Sequence, residues 1–139
     1  MNTKPLTVRL LQIGASLFVG LNSPLAIADT YPSKPIKAIV PFAPGSTTDQ
    51  IGRAFAAKMS ETLGQPVVIE NKSGANGLIG ADFVAKAPAD GYTILIGTNS
   101  TNAALKSLVK NLPYNQDTAF TPIGYFGSAP LIVAINNDV

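Results

Sequence analysis

A short apolar run ends in a turn of Pro, Gly, Ser, Thr or Asn, a helix-like segment follows, and the unit occurs three times in succession. Ile36 to Phe42 leads into Pro44-Gly45-Ser46-Thr47-Thr48-Asp49, and Val67 to Glu70 leads into Asn71-Lys72-Ser73-Gly74-Ala75-Asn76-Gly77. Tyr92 to Ile96 leads into Gly97-Thr98-Asn99-Ser100-Thr101-Asn102. Strands alternating with helices build a parallel sheet, because parallel neighbours need a crossover between them. Three βα turns then share the carboxyl edge of that sheet, where open α/β sheets bind ligands and helix N-termini favour anions. The pattern predicts an α/β chain with an anion-binding edge.

The spacing also predicts the elements in detail. A first strand is expected over Ile36–Phe42, closed by Pro41 and Pro44-Gly45. From Thr48 the apolar residues Ile51, Phe55, Met59 and Leu63 recur at four-residue steps, which predicts one buried helix face. Gly64-Gln65-Pro66 should stop that helix, glycine as a left-handed cap and proline as a breaker. Pro66 to Glu70 reads as a second strand, and Gly77 to Lys86 as a second helix with Ile79, Phe83 and Ala87 inward. Tyr92 to Ile96 shows no alternation, so it is expected to be central and buried on both faces. A short third helix is expected over Thr101–Lys110, a loop over Asn111–Thr121, and two further strands over Pro122–Phe126 and Leu131–Ile135.

The first 28 residues are set apart. Lys4 and Arg9 precede the apolar stretch Leu10–Leu21, and Ala26-Ile27-Ala28 forms a small-x-small site, the pattern of a secretory signal peptide cleaved before Asp29. As a helix the apolar stretch would span only about 18 Å of a roughly 30 Å hydrocarbon core, too little for a membrane anchor. The absence of cysteine excludes an acylated anchor and a disulfide framework, so the expected destination is the periplasm or the exterior. Lys4 and Arg9 leave with the leader, and residues 29–139 carry balanced, singly scattered charges. No basic stripe points to nucleic acid or to a membrane surface.

Without histidine or cysteine, a Ser-His-Asp triad, a cysteine nucleophile and nearly all zinc sites are excluded. The carboxylates Asp49, Glu61, Glu70, Asp82, Asp90 and Asp117 show neither metal-ligand nor paired spacing, so no catalytic residue, metal or cofactor is expected. Gly74, Gly77 and Gly80 have GxxGxxG spacing rather than the GxGxxG of a dinucleotide fingerprint, and tight turning with close helix packing explains them. The candidate binding residues are instead the small polar turns: Phe42, Ala43, Gly45, Ser46, Thr47 and Asp49; Gly74, Ala75 and Asn76; Thr98, Asn99, Ser100, Thr101 and Asn102. Asp49 is also placed to cap free N–H groups of the first helical turn.

A longer concatenation then becomes visible. Tyr31-Pro32-x-Lys34-Pro35-Ile36, Val40-Pro41-Phe42-x-Pro44-Gly45 with Asp49, Leu63-Gly64-Gln65-Pro66-Val67-Val68 and Glu70-Asn71 with Gly74-Ala75-x-Gly77 occur in order. Ile79-Gly80-Ala81, Val84-Ala85-Lys86-Ala87-Pro88-x-Asp90-Gly91-Tyr92-Thr93, Leu112-Pro113-Tyr114 and Phe120-Thr121-Pro122 follow. This resembles the Bug family, the periplasmic receptors of tripartite tricarboxylate transporters, over Tyr31 to Val139. The resemblance implies a type-II periplasmic-binding-protein fold, two α/β lobes closing on a small carboxylate, no catalysis, a monomer, and a membrane transporter as partner. Two positions depart from the family pattern: Ser46 stands where a second glycine is usual, and Asn102 where histidine is frequent.

Family members are much longer. Residues 29–119 are therefore expected to form the leading part of lobe 1 and residues 120–139 the crossing toward lobe 2, a truncated portion that binds weakly or not at all alone. The alternatives are a fragment of an α/β enzyme whose catalytic residues lie elsewhere, or an autonomous interaction domain.

Overall fold

The computed structural model describes residues 30–128 and 134–136. The expected leader and most of the expected strand at Leu131–Ile135 lie outside them. Three strands, β1 (Ile36–Val40), β2 (Val67–Asn71) and β3 (Thr93–Leu95), form a parallel sheet in the order β2-β1-β3. Ile36 pairs with Val67 on one side and Lys37 with Thr93 on the other. Helix α1 (Thr47–Leu63) connects β1 to β2, and α2 (Leu78–Ala85) connects β2 to β3. A wide turn over Ser100–Ala104 runs into the short helix α3 (Leu105–Leu108).

β1 is the centre of the sheet. Ile36, Ala38, Ile39 and Val40 are buried, and Lys37 keeps its ammonium at the surface, 3.1 Å from Glu70. Taking each of the larger side chains out of water contributes about 1.5–3 kcal/mol. This corrects the expectation for Tyr92–Ile96: among the described residues β3 is an edge, Thr93 to Leu95 are half-buried, and only Ile96 beyond them is buried. An unbroken apolar run identified a strand here, but its place in the sheet was set by both crossovers returning to flank β1.

Both long helices also present different faces from those expected. In α1 the residues turned to the sheet are Asp49, Gly52 and Ala56, with Met59 and Leu63 packed at the margin, while Ile51 and Phe55 are exposed. In α2 Gly80 and Ala81 are buried, whereas Ile79 and Phe83 face outward. Small residues win the sheet-facing positions because they let the helices approach closely: a Cβ on Gly80 would lie 2.9 Å from backbone atoms of Pro41 and Lys72. Phe83 instead lies under the Lys72 ammonium, 4.3 Å from the ring centroid, and Phe55 stacks on Phe126 at 3.7 Å.

The helix stop at Gly64 is as the sequence predicts: φ is +66°, and its N–H donates to Ser60 O. The strand expected at Pro122–Phe126 is not formed. Residues 120–128 have no regular structure, and Ile123 and Tyr125 are exposed. A strand exists only by pairing, and none of the described strands pairs with this stretch.

Candidate functional site

The three turns at the carboxyl edge differ in how they are built. In the β1–α1 turn, Ser46 is the N-cap of α1, and its hydroxyl accepts the Asp49 N–H at 3.2 Å. Asp49 reaches back past the cap, its Oδ2 accepting the Gly45 N–H at 2.9 Å. This is a capping box displaced by one residue, with the acid on the loop rather than on the helix N–H groups expected for it. Gly45 has φ +82°, and no atom lies within 4 Å of where its Cβ would be, so glycine is required there by backbone conformation and not by crowding. The N–H groups of Thr47 and Thr48, in the first helical turn, have no acceptor among the described residues.

Asp49 is buried and fully engaged. Besides Gly45, Arg53 Nε donates to Oδ2 at 2.9 Å and Asn71 Nδ2 donates to Oδ1 at 2.9 Å. Asn71 Nδ2 also donates to Phe42 O, and Arg53 donates to Asn71 Oδ1 at 3.2 Å. The Arg53 hydrogen bond first, then those from Gly45 and Asn71, hold the Asp49 carboxyl down at about 2, against an ordinary 3.8. Its charge is therefore met by groups inside the protein. It fastens the turn to α1 and to the end of β2.

The β2–α2 turn is a run of four residues with positive φ: Gly74 at 135°, Ala75 at 46°, Asn76 at 55° and Gly77 at 91°. The Gly77 N–H donates to Gly74 O at 2.9 Å, and the Leu78 N–H donates to Ala75 O. Left-handed backbone at Ala75 costs of order 1–3 kcal/mol and persists only where surroundings impose it, a condition concentrated at binding sites. Gly74, Ala75 and Asn76 are all exposed.

In the turn after β3, Thr101 is wholly buried. Its hydroxyl accepts the Thr98 N–H at 2.9 Å and lies 3.1 Å from Thr98 O and 2.8 Å from Asn102 Oδ1. Gln116 Nε2 donates to the Thr101 carbonyl at 2.9 Å. Thr101 thus pins its own turn. The Asn102 side chain lies over Gly97, where a Cβ would come within 2.6 Å of Nδ2. Thr98 Oγ1 is buried without a partner among the described residues, and Asn99 and Asn102 are exposed.

The structure gathers the turns on one edge. A Cβ on Gly77 would come within 3.5 Å of atoms of Phe42, Pro41 and Thr101. The stretches 42–48, 73–77 and 97–104 contain no lysine or arginine and offer neutral backbone, hydroxyl and amide donors, with the half-exposed Arg53 bonded to Asp49 beside the first of them. No group of three or more potential metal ligands occurs among the described residues. Asn71, Arg53, Gly77 and Gln116 were absent from the residues expected from sequence. The polar Asn71 at the end of an apolar strand was the signal for the first.

Residues 51–139 match the sequence profile of the tripartite tricarboxylate transporter family receptor. Protein BugT of Bordetella pertussis is 43% identical over 118 residues, covering 84% of this chain and 36% of BugT. Among solved structures, a periplasmic transporter is 54% identical with TM-score 0.61, over 62% of this chain and 29% of the other. MatC from Rhodopseudomonas palustris with bound malate is 42% identical with TM-score 0.63, over 66% and 31%. Rpa4515 of R. palustris with adipate is 43% identical with TM-score 0.61, over 63% and 29%. The chain spans about a third of the length of the curated relatives it matches. Its parallel α/β unit is part of a periplasmic-binding-protein fold. The chain belongs to the tripartite tricarboxylate transporter receptor family.

Proposed function

We propose that this chain is the leading portion of a periplasmic receptor that binds a small carboxylate-bearing solute and delivers it to the membrane components of a tripartite transporter. The observation that carries the reading is the convergence of three βα turns on one edge, with N–H groups at Thr47 and Thr48 that have no acceptor among the described residues. Such donors suit a carboxylate, which accepts several N–H bonds and is favoured by a helix N-terminus. Relatives solved with malate and with adipate support the same ligand class. Binding rather than catalysis fits a chain with no histidine or cysteine, whose buried Asp49 is consumed by its own neighbours. Residues 29–119 supply the first part of lobe 1, residues 120–139 lead toward lobe 2, and residues 1–28 direct export.

The test is an amide-resolved NMR titration of the chain with malate and with adipate, with sodium chloride at matched ionic strength as control. Shifts confined to residues 43–48, 74–77 and 97–102 are expected, with a dissociation constant no tighter than about millimolar, since one lobe makes only part of a closed cleft's contacts. Shifts absent at these turns, or equal in the chloride control, would refute the reading.

A further inference from the structure

Gly77 occupies the point where the three turns meet. A Cβ there would lie 2.6 Å from Thr101 Cγ2, 3.4 Å from Pro41 Cβ and 3.5 Å from Phe42 Cζ. The other turn glycines differ. Gly45 faces open space, a Cβ on Gly74 would meet the flexible end of Ile79, and one on Gly97 would meet Asn102 of its own turn. Gly77 is thus the turn glycine whose missing side chain leaves room for both neighbouring turns.

We propose that Gly77 is a positioning residue for ligand binding, seating the β2–α2 turn between Phe42 and Thr101 so that donors from all three turns reach one carboxylate. The inference rests on the carboxylate-binding reading above. With alanine at position 77, the new Cβ and Thr101 Cγ2 must part by about 0.8 Å to reach ordinary contact. Thr101 cannot give way, being wholly buried, with its hydroxyl bonded to Thr98 and its carbonyl to Gln116. The β2–α2 turn must move instead, and aligned donors lose much of their effect when displaced by about an ångström.

The chain, Gly77→Ala and the double variant Gly77→Ala/Thr101→Ser are compared by amide NMR, free and with malate or adipate. Serine removes the obstructing Cγ2 and keeps the hydroxyl, whereas the strain of a side chain at φ +91° is the same in both variants. Gly77→Ala is expected to shift the Thr98, Thr101 and Asn102 amides in the free protein and to weaken malate binding about tenfold or more, the scale of one lost hydrogen bond to a charged group. The double variant should recover most of both. Unchanged Thr98–Asn102 amides in Gly77→Ala would overturn the proposal. So would equal impairment of single and double variants, which would assign the effect to backbone strain. A parent chain that responds to neither acid refutes the binding reading and the ligand role of Gly77 with it; the free-protein shifts then still decide whether Gly77 joins the turns.

Discussion

Alanine at Gly80 and alanine at Gly52 should change stability in different directions, although each replaces a buried glycine on the sheet-facing side of a helix. At Gly80 the new Cβ would lie 2.9 Å from Lys72 O, Pro41 Cα and Pro41 Cβ, which belong to backbone and a proline ring that cannot rotate away. At Gly52 the nearest atoms are Val40 Cγ2 at 3.3 Å and two Ile96 carbons at 3.5 Å, all on side chains, so a shift of a few tenths of an ångström suffices. Alanine gains about 1 kcal/mol over glycine in a helix interior, while overpacking costs about 1–3 kcal/mol. Because the contacts at Gly80 are with rigid atoms, its overpacking cost falls in the upper part of that range, about 2–3 kcal/mol, and the balance for Gly80→Ala is a loss of about 1–2 kcal/mol. For Gly52→Ala it lies between neutral and a gain of about 0.5–1 kcal/mol. Urea denaturation followed by circular dichroism, with parent and variants side by side, reads the difference directly. Equal midpoints for parent and Gly80→Ala, or a Gly52→Ala loss as large as that of Gly80→Ala, would refute the claim that backbone contact at Pro41 sets how close α2 comes.

The Asp49 network should be visible in acid. Its carboxyl is held at about 2 when folded against an ordinary 3.8, so its contribution is present above 3.8 and lost as pH falls through about 2. Thermal melts across that range should fall less steeply for Asp49→Ala than for the parent; Glu70, also held low by Lys72 and Lys37, leaves a residual slope, and parallel slopes would refute the assignment. Gly45→Val, which forces a β-branched residue to φ +82°, and Thr98→Val should each weaken malate binding in the NMR titration by about 1 kcal/mol or more, and unchanged affinity in both would remove these turns from the site. Mass spectrometry of periplasmic material should find an N-terminus at Asp29, whereas uncleaved Met1 material alone would refute the export signal.

The parallel α/β order was legible because its signals are local: apolar runs stopped by Pro41 and Gly64, and a glycine-rich turn after each strand. The left-handed backbone at Asn76 has a local cause too, since asparagine tolerates positive φ better than most residues. Which helix face is buried was not. Four-residue steps of Ile51 and Phe55 mark an apolar stripe, but Gly52 and Ala56 carry too little side chain to register in such a count, and it is their smallness that the sheet selects. Likewise Asp49 and Thr101 advertise polar atoms at a binding edge, and only the folded partners Arg53, Asn71 and Gln116 reveal that those atoms are already engaged. Contacts between residues far apart in the chain leave no periodic trace.

The strand order has a consequence for how the chain comes to be folded. β1 is made first, yet its partners lie about thirty residues later on one side and about fifty-five later on the other, so neither edge can be closed by a local hairpin. During synthesis the apolar IKAIV segment therefore stays unpaired until β2 and then β3 have emerged. A central strand completed last delays compaction, so this sheet closes only when its final strand arrives.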